Sequence, residues 1–217
     1  MKLLPLALNV QGRNCVIFGA GAVARRKALS LLECGAQLKV VAPHFAEDWA
    51  NLQSEKIECI NRPYLKGDCK NALLVFACTD DAAVNRQIAA EALQLNILCN
   101  VADESEVSDF HSMATLRRGD ICIGISTSGG SPALSRHLKE KISETIGPEY
   151  ESLLELLAVQ RETLSQRIDE QSQRAGLWRA VLDSDILNLL RAEKSEEAAE
   201  LLRSLLSTND KSQRTVD

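Results

Sequence analysis

The sequence predicts an α/β fold organised on an open, doubly wound parallel sheet, and three observations carry that prediction. Residues 14–36, NCVIFGAGAVARRKALSLLECGA, run from a short apolar stretch through a small-residue turn into a segment of helical period. Two further apolar runs, Gln37–Ala42 (QLKVVA) and Leu73–Ala77 (LLVFA), have the length and β-branched content of buried parallel strands. Helical stretches separate the runs, and right-handed crossovers then leave the strand C-termini on one edge, where ligands bind.

Taken in order, Leu3–Val10 alternates loosely before Gln11-Gly12 and is expected as an edge strand or a lead-in. Cys15–Phe18 is the first strand. Ala24, Ala28, Leu31 and Leu32 then recur at helical spacing up to Gly35, which ends the helix. Gln37–Ala42 is stopped by Pro43. Trp49 and Leu52 give Ala46–Ser54 a helical spacing, and Ile57–Asn61 reads as a short strand. Leu73–Ala77 is a central strand that stops at Thr79-Asp80-Asp81. Asp80 or Asp81 caps the next helix, Ala82–Leu95, whose apolar face is Val84, Ile88, Ala92 and Leu95. Ile97–Val101 is a further strand.

The pattern changes after Asp103. Glu104–Asp109 is acidic and irregular, Arg117-Arg118-Gly119 marks a turn, and Ile121–Ser126 is a strand. A helix from Ala133 to about Ile146 ends at Gly147-Pro148. From Glu149 onward the spacing is helical in three or four elements, and Thr208–Asp217 is a polar tail expected to be disordered.

Composition removes several classes of function. A formal charge of −5 gives no support for nucleic-acid binding. No apolar run approaches the length of a membrane span, and the N-terminus is too short for a signal peptide. Seven cysteines are scattered without CxxC pairs, which suits a reducing cytoplasm and argues against a disulfide framework or a structural zinc site.

The candidate chemistry lies at the ends of the strands. Gly19-Ala20-Gly21 with Ala24 forms the strand–turn–helix opening of a dinucleotide-binding, Rossmann-like fold. Gly19 allows the turn, Gly21 lets the backbone approach a pyrophosphate, and Ala24 packs the helix on the strand. The second strand ends in Pro43-His44, without the acid that usually holds an adenosine ribose, and no Arg or Lys follows Pro43 immediately. NAD is therefore favoured over NADP. Thr79 is placed to line the nicotinamide side through its backbone. Asp103, just past a buried strand, is a candidate general base, with a loop-starting Asp as the bland alternative. Thr127-Ser128-Gly129 belongs to a second small-residue loop that opens a helix carrying Arg136, an arrangement suited to carboxylates. His111 is either a core histidine or a site residue.

The ordered set GAGAVARRKALSLLECGA, VVAP, TDD, CNVAD and STSGGSPALSR resembles siroheme synthase N-terminal modules, the bifunctional precorrin-2 dehydrogenase / sirohydrochlorin ferrochelatases. The resemblance covers residues 1 to about 145, and the helical tail more loosely. It implies an NAD-binding domain at 1–112, a small α+β dimerisation region at 113–147 and a C-terminal helical domain at 148–217, assembled as a homodimer. It places Ala22, Val23, Pro43 and His44 at positions that contact NAD, with Asn100 and Val101 on the same side. Asp103 matches a carboxylate with roles in dehydrogenation and metal insertion. Thr127 or Ser128 matches a serine associated with tetrapyrrole binding, with Gly129, Arg136 and His111 on the substrate side. The implied activity is oxidation of precorrin-2 with NAD, followed by insertion of ferrous iron as a substrate with no permanent metal site. With the chain ending at Asp217, no methyltransferase domain is expected. Two alternatives stay open: a dehydrogenase without chelatase activity, and an NAD-sensing regulatory module.

Overall fold

A computed structural model describes residues 2–52, 55–167 and 171–211. They divide into two compact units, Met1–Ser112 and Met113–Asp217.

The first unit is a five-stranded parallel sheet of β1 (Asn14–Phe18), β2 (Gln37–Ala42), β3 (Ile57–Asn61), β4 (Leu74–Ala77) and β5 (Leu98–Val101), in the order β3-β2-β1-β4-β5. Two helices cover it, α1 (Ala22–Glu33) and α2 (Ala82–Gln94). Alternation along the strands sorts the core. Cys15, Ile17, Leu38, Val40, Leu74 and Phe76 pack with Ala24, Ala28 and Leu31 of α1. Val16, Phe18, Val41, Val75, Ala77, Cys99 and Val101 pack with Ile88 and Ala92 of α2. The sheet is thus wound on both faces, and its central strands β1, β2 and β4 read as largely apolar runs because both sides are buried, while the edge strand β3 is half exposed.

The helix ends follow from local chemistry. Asp81 caps α2, its Oδ1 accepting the N–H groups of Ala83 at 2.8 Å and Val84 at 3.3 Å. Helix α1 ends in a Schellman turn: Gly35, at φ +76°, donates to the Leu32 carbonyl, and Ala36 donates to that of Leu31. Asn96 takes the same left-handed place after α2, so Leu95 falls beyond the helix at 38% exposure rather than on its apolar face. Leu3–Val10 forms no strand. It is a lead-in whose Leu4, Leu6 and Leu8 are exposed and whose Val10 is buried. The segment expected as a helix at Ala46–Ser54 is a short 3-10 turn, Glu47–Leu52, and Ser54 lies outside the described residues.

The second unit opens with an antiparallel hairpin of β6 (Ala114–Arg118) and β7 (Ile121–Ile125), followed by α3 (Pro132–Thr145). Arg117 and Arg118 end β6, so the turn is Gly119-Asp120 rather than Arg117-Arg118-Gly119. Arg118 Nε donates to the Ile146 carbonyl at 3.1 Å, at the end of α3. Four helices follow, α4 (Glu149–Arg167), α5 (Gln171–Leu182), α6 (Ile186–Arg191) and α7 (Ser195–Lys211), around Leu153, Val181, Ile186, Leu190, Ala198 and Leu202. Helix α7 continues through Lys211, and the remainder of the polar tail, residues 212–217, lies outside the described residues. No helix among the described residues is long and apolar enough to cross a membrane.

Two outcomes follow from this packing. Asp81→Ala removes the α2 cap and should cost about 1 kcal/mol in denaturant unfolding. Burial pushes the thiols of Cys15 and Cys78 up to about 11 and those of Cys69 and Cys99 up to about 12, whereas Cys59 and Cys122 are exposed. Alkylation at about pH 8, read by mass spectrometry, should label Cys59 and Cys122 and leave the four buried thiols unmodified until the chain unfolds.

Candidate functional site

The C-terminal ends of β2, β1, β4 and β5 share one edge, and the pairing between neighbouring strands persists just beyond them. Gly19 N donates to the Val41 carbonyl at 2.9 Å, Cys78 N to that of Phe18 at 2.8 Å, and Ala102 N to that of Ala77 at 2.8 Å. These bonds set the Gly19–Gly21 turn, the Cys78–Thr79 turn and the Ala102–Asp103 turn side by side. The strand order reverses direction of growth at β1 and β4, the place where open α/β sheets form a ligand crevice.

The two turn glycines have different roles. Gly19 is buried at φ +100°, and a Cβ there would stand 2.3 Å from the Cys78 carbonyl oxygen. Gly21 has an ordinary φ of −76° and is the N-cap of α1. A Cβ on it would meet nothing within 4 Å, and no side chain caps the helix. The first turn of α1 therefore presents backbone N–H groups across an uncovered surface, with Ala22 exposed and Val23 half-buried beside it. A pyrophosphate fits this donor set, and the open space at Gly21 is where its approach would be obstructed by a side chain. At the end of β2, Pro43 and His44 are exposed.

Asp103 is exposed at φ +62°, a left-handed conformation that Asp tolerates. No hydrogen bond or ion pair engages its carboxylate among the described residues. Its turn is stapled by Ser108, whose Oγ accepts from Val101 N at 2.9 Å and lies 2.9 Å from the Glu104 carbonyl oxygen. The Asp103 charge adds to the upward push on the Cys78 thiol, which burial dominates and which Lys27 and Arg26 oppose. Cys78 is thus a neutral thiol at the site, not a nucleophile.

Several side chains named from sequence have structural duties. The backbone N–H and C=O of Thr79 are both taken by the side chain of buried Asn85, at 3.1 and 3.0 Å, and Thr79 Oγ1 lies 2.7 Å from Asn85 Oδ1. Asn100 is buried and donates from Nδ2 to the Phe110 carbonyl at 2.8 Å. Val101 is in the core against α2. His111 is half-buried, with Nε2 enclosed and without a hydrogen-bond partner among the described residues. In the second unit, Thr127 Oγ1 is 3.1 Å from both the carbonyl oxygen and the N–H of Ser131 and 3.2 Å from Ser135 Oγ, which closes the loop on itself. Ser128 (φ +53°), Gly129 (φ +83°) and Arg136 are exposed.

Sequence reasoning missed Lys27. It extends from α1 over the Phe76 ring, 5.6 Å from its centroid, and donates to Ser112 Oγ; burial lowers its pKa. Only its place one turn past the glycines hinted at a position near the edge. Among the described residues, no three His, Cys, Asp or Glu side chains are grouped to hold a metal ion. A depression of about 340 Å³ lined by Asn14, Gln37, Lys39, Lys56 and Glu58 lies at the opposite ends of β1–β3, away from these groups.

A family model described as putative NAD(P)-binding matches residues 6–114, and one described as the sirohaem synthase dimerisation region matches residues 149–206, within α4–α7. The chain is 33% identical over 209 residues to siroheme synthase of Nitrosococcus oceani, covering 95% of this chain and 44% of that protein. It is 33% identical over 207 residues to siroheme synthase of Ectopseudomonas mendocina, covering 95% and 45%. The chain therefore spans less than half the length of these relatives. Among solved structures, SirC, a precorrin-2 dehydrogenase, has the same fold, with a TM-score of 0.75 and 24% identity over 93% of this chain and 100% of that one.

The two glycines should separate under substitution. Gly19→Ala combines a left-handed φ with a backbone collision and should lower stability by about 2–5 kcal/mol. Gly21→Ala should leave unfolding within about 0.5 kcal/mol of wild type. Calorimetric titration of Gly21→Ala should nevertheless show weakened dinucleotide binding.

Proposed function

We propose that this chain, which belongs to the siroheme synthase N-terminal family of NAD(P)-binding proteins, is an NAD-dependent dehydrogenase that oxidises precorrin-2 to sirohydrochlorin. The observation that carries the reading is a juxtaposition on one sheet edge. An uncovered glycine turn with outward N–H groups follows β1, and an exposed carboxylate without a partner among the described residues, Asp103, follows β5, with only β4 between their strands.

The conversion is a two-electron oxidation in which the tetrapyrrole loses a hydride and a proton. NAD, when bound, supplies the hydride acceptor. The backbone from Gly19 to Ala24 holds the pyrophosphate, the open face at Gly21 allows close approach, and Pro43 and His44 border the adenosine side. Asp103 accepts the proton: it is exposed, and its turn is held by the Ser108 staple. Thr79 borders the nicotinamide side with its backbone groups fixed by Asn85. Carboxylates of the substrate are assigned to Ser128, Gly129 and Arg136 of the second unit, and His111 offers its unpartnered Nε2. Thr127 shapes that loop through its closed hydrogen bonds. Ferrous iron is proposed as a subsequent substrate, with Asp103 accepting pyrrole N–H protons as iron enters. Two copies of the chain are proposed to pair, a reading supported by the dimerisation match over residues 149–206.

Incubation of the protein with precorrin-2 and NAD should produce NADH and the sirohydrochlorin spectrum. Asp103→Asn should lower kcat by about 10²–10⁴ with NAD affinity retained; an unchanged kcat rejects the proton role. Binding of NAD without any tetrapyrrole binding would instead support a sensing module. Iron-dependent loss of sirohydrochlorin that disappears in Asp103→Ala supports insertion, and no loss with wild type restricts the chain to oxidation.

A further inference from the structure

The 3-10 turn Glu47–Leu52 carries Trp49, which is 4% exposed and donates its indole Nε1–H to the Ala20 carbonyl oxygen at 2.8 Å. That carbonyl belongs to the glycine turn itself. The Ala20–Gly21 peptide is trans, so its N–H points away from its carbonyl oxygen within one plane. Holding the Ala20 oxygen against a buried indole therefore fixes the direction of the Gly21 N–H, which has no acceptor among the described residues. The anchor is itself immobilised. Phe45 packs edge-on against Trp49 with centroids 5.5 Å apart, and Asp48 pairs with Arg25 in the first turns of α1 at 2.9 Å. One short segment thus grips both the turn and the start of the helix.

We infer that Trp49 is a positioning residue of the cofactor site: through the Ala20 carbonyl, its indole N–H aims the Gly21 amide at the dinucleotide pyrophosphate. The inference rests on the NAD reading above. Loss of the indole donor leaves the peptide free to rotate about its flanking bonds. Binding must then reorder it, and the deficit falls on ligands that carry a pyrophosphate.

The test compares Trp49→Phe, which keeps an aromatic ring and removes the donor, with Phe45→Leu, which disturbs the same packing and keeps the indole. Trp49→Phe should weaken NAD and ADP-ribose about ten-fold, the effect of one lost hydrogen bond. Adenosine and tetrapyrrole affinities should stay at the wild-type value, and Phe45→Leu should bind NAD as wild type does. Equal NAD affinity in Trp49→Phe and wild type overturns the inference, as does an equal loss in both variants. Wild-type protein provides a second reading that does not depend on either variant folding. The sequence holds one other tryptophan, Trp178, in the second unit; the Trp49 indole resonance, assigned with Trp178→Phe, should shift on addition of ADP-ribose and not of adenosine, and an indifferent resonance overturns the inference. Failure of wild type to bind NAD at all removes the NAD reading and this inference together, whereas wild-type binding with an unaffected Trp49→Phe removes the inference alone.

Discussion

Where the chain leaves β1 it passes the chain leaving β4 so closely that no side chain fits between them, and the ligand edge is arranged around that approach. Gly19 stands against the Cys78 carbonyl, and the bonds from Gly19 to Val41 and from Cys78 to Phe18 draw the two exits together. Because β1 lies between β2 and β4, this approach fixes where α1 begins. It also fixes the spacing of the Thr79 and Asp103 turns, since Ala102 is bonded to the end of β4 in the same manner. A methyl group at Gly19 would displace backbone rather than a flexible side chain, so the collision cannot be absorbed locally.

The neighbouring glycine obeys a different constraint. The protein leaves the space over Gly21 empty, and nothing in the fold demands that it lack a Cβ. The same separation recurs at Asp81, Asn85 and Asp103. Asp81 caps α2 and Asn85 satisfies both backbone groups of Thr79, whereas the Asp103 carboxylate is spent on no contact among the described residues.

The central strands were legible because a buried parallel strand is a largely apolar run, as in β1, β2 and β4, whereas the edge strand β3, Ile-Glu-Cys-Ile-Asn, is half exposed and was read from its short β-type pattern alone. The helices of the first unit were legible from period and caps, with Leu95 misplaced because spacing alone does not show that Asn96 turns the chain left-handed one residue later. Trp49 was legible only as an apolar residue at helical spacing; its hydrogen bond joins residues 29 apart and leaves no trace in a local pattern. The hydrogen-bond partners of Asn85, Asn100 and Ser108 were invisible for the same reason, although Asn100 itself was expected on the cofactor side, since a polar side chain does not announce which backbone group it will satisfy. Thr127 read as a ligand-facing hydroxyl, and the folded loop shows it closing on Ser131 and Ser135. The position of the glycine turn after β1 and of Asp103 after β5 was legible in sequence, and the groups that hold those turns in place were not.

The staple beneath Asp103 has a second effect. Strand β5 is the outermost strand on its side of the sheet, and its outward groups are occupied: Cys99 N donates to Asp109 Oδ2, Asp109 N donates to the Cys99 carbonyl, and Val101 N donates to Ser108 Oγ. The segment that presents Asp103 is therefore also the cover that keeps this border from recruiting a strand of another molecule. Loosening it to give the carboxylate more reach would bare an adhesive edge. Freedom of movement at this site and resistance to self-association are set against each other by the same few hydrogen bonds.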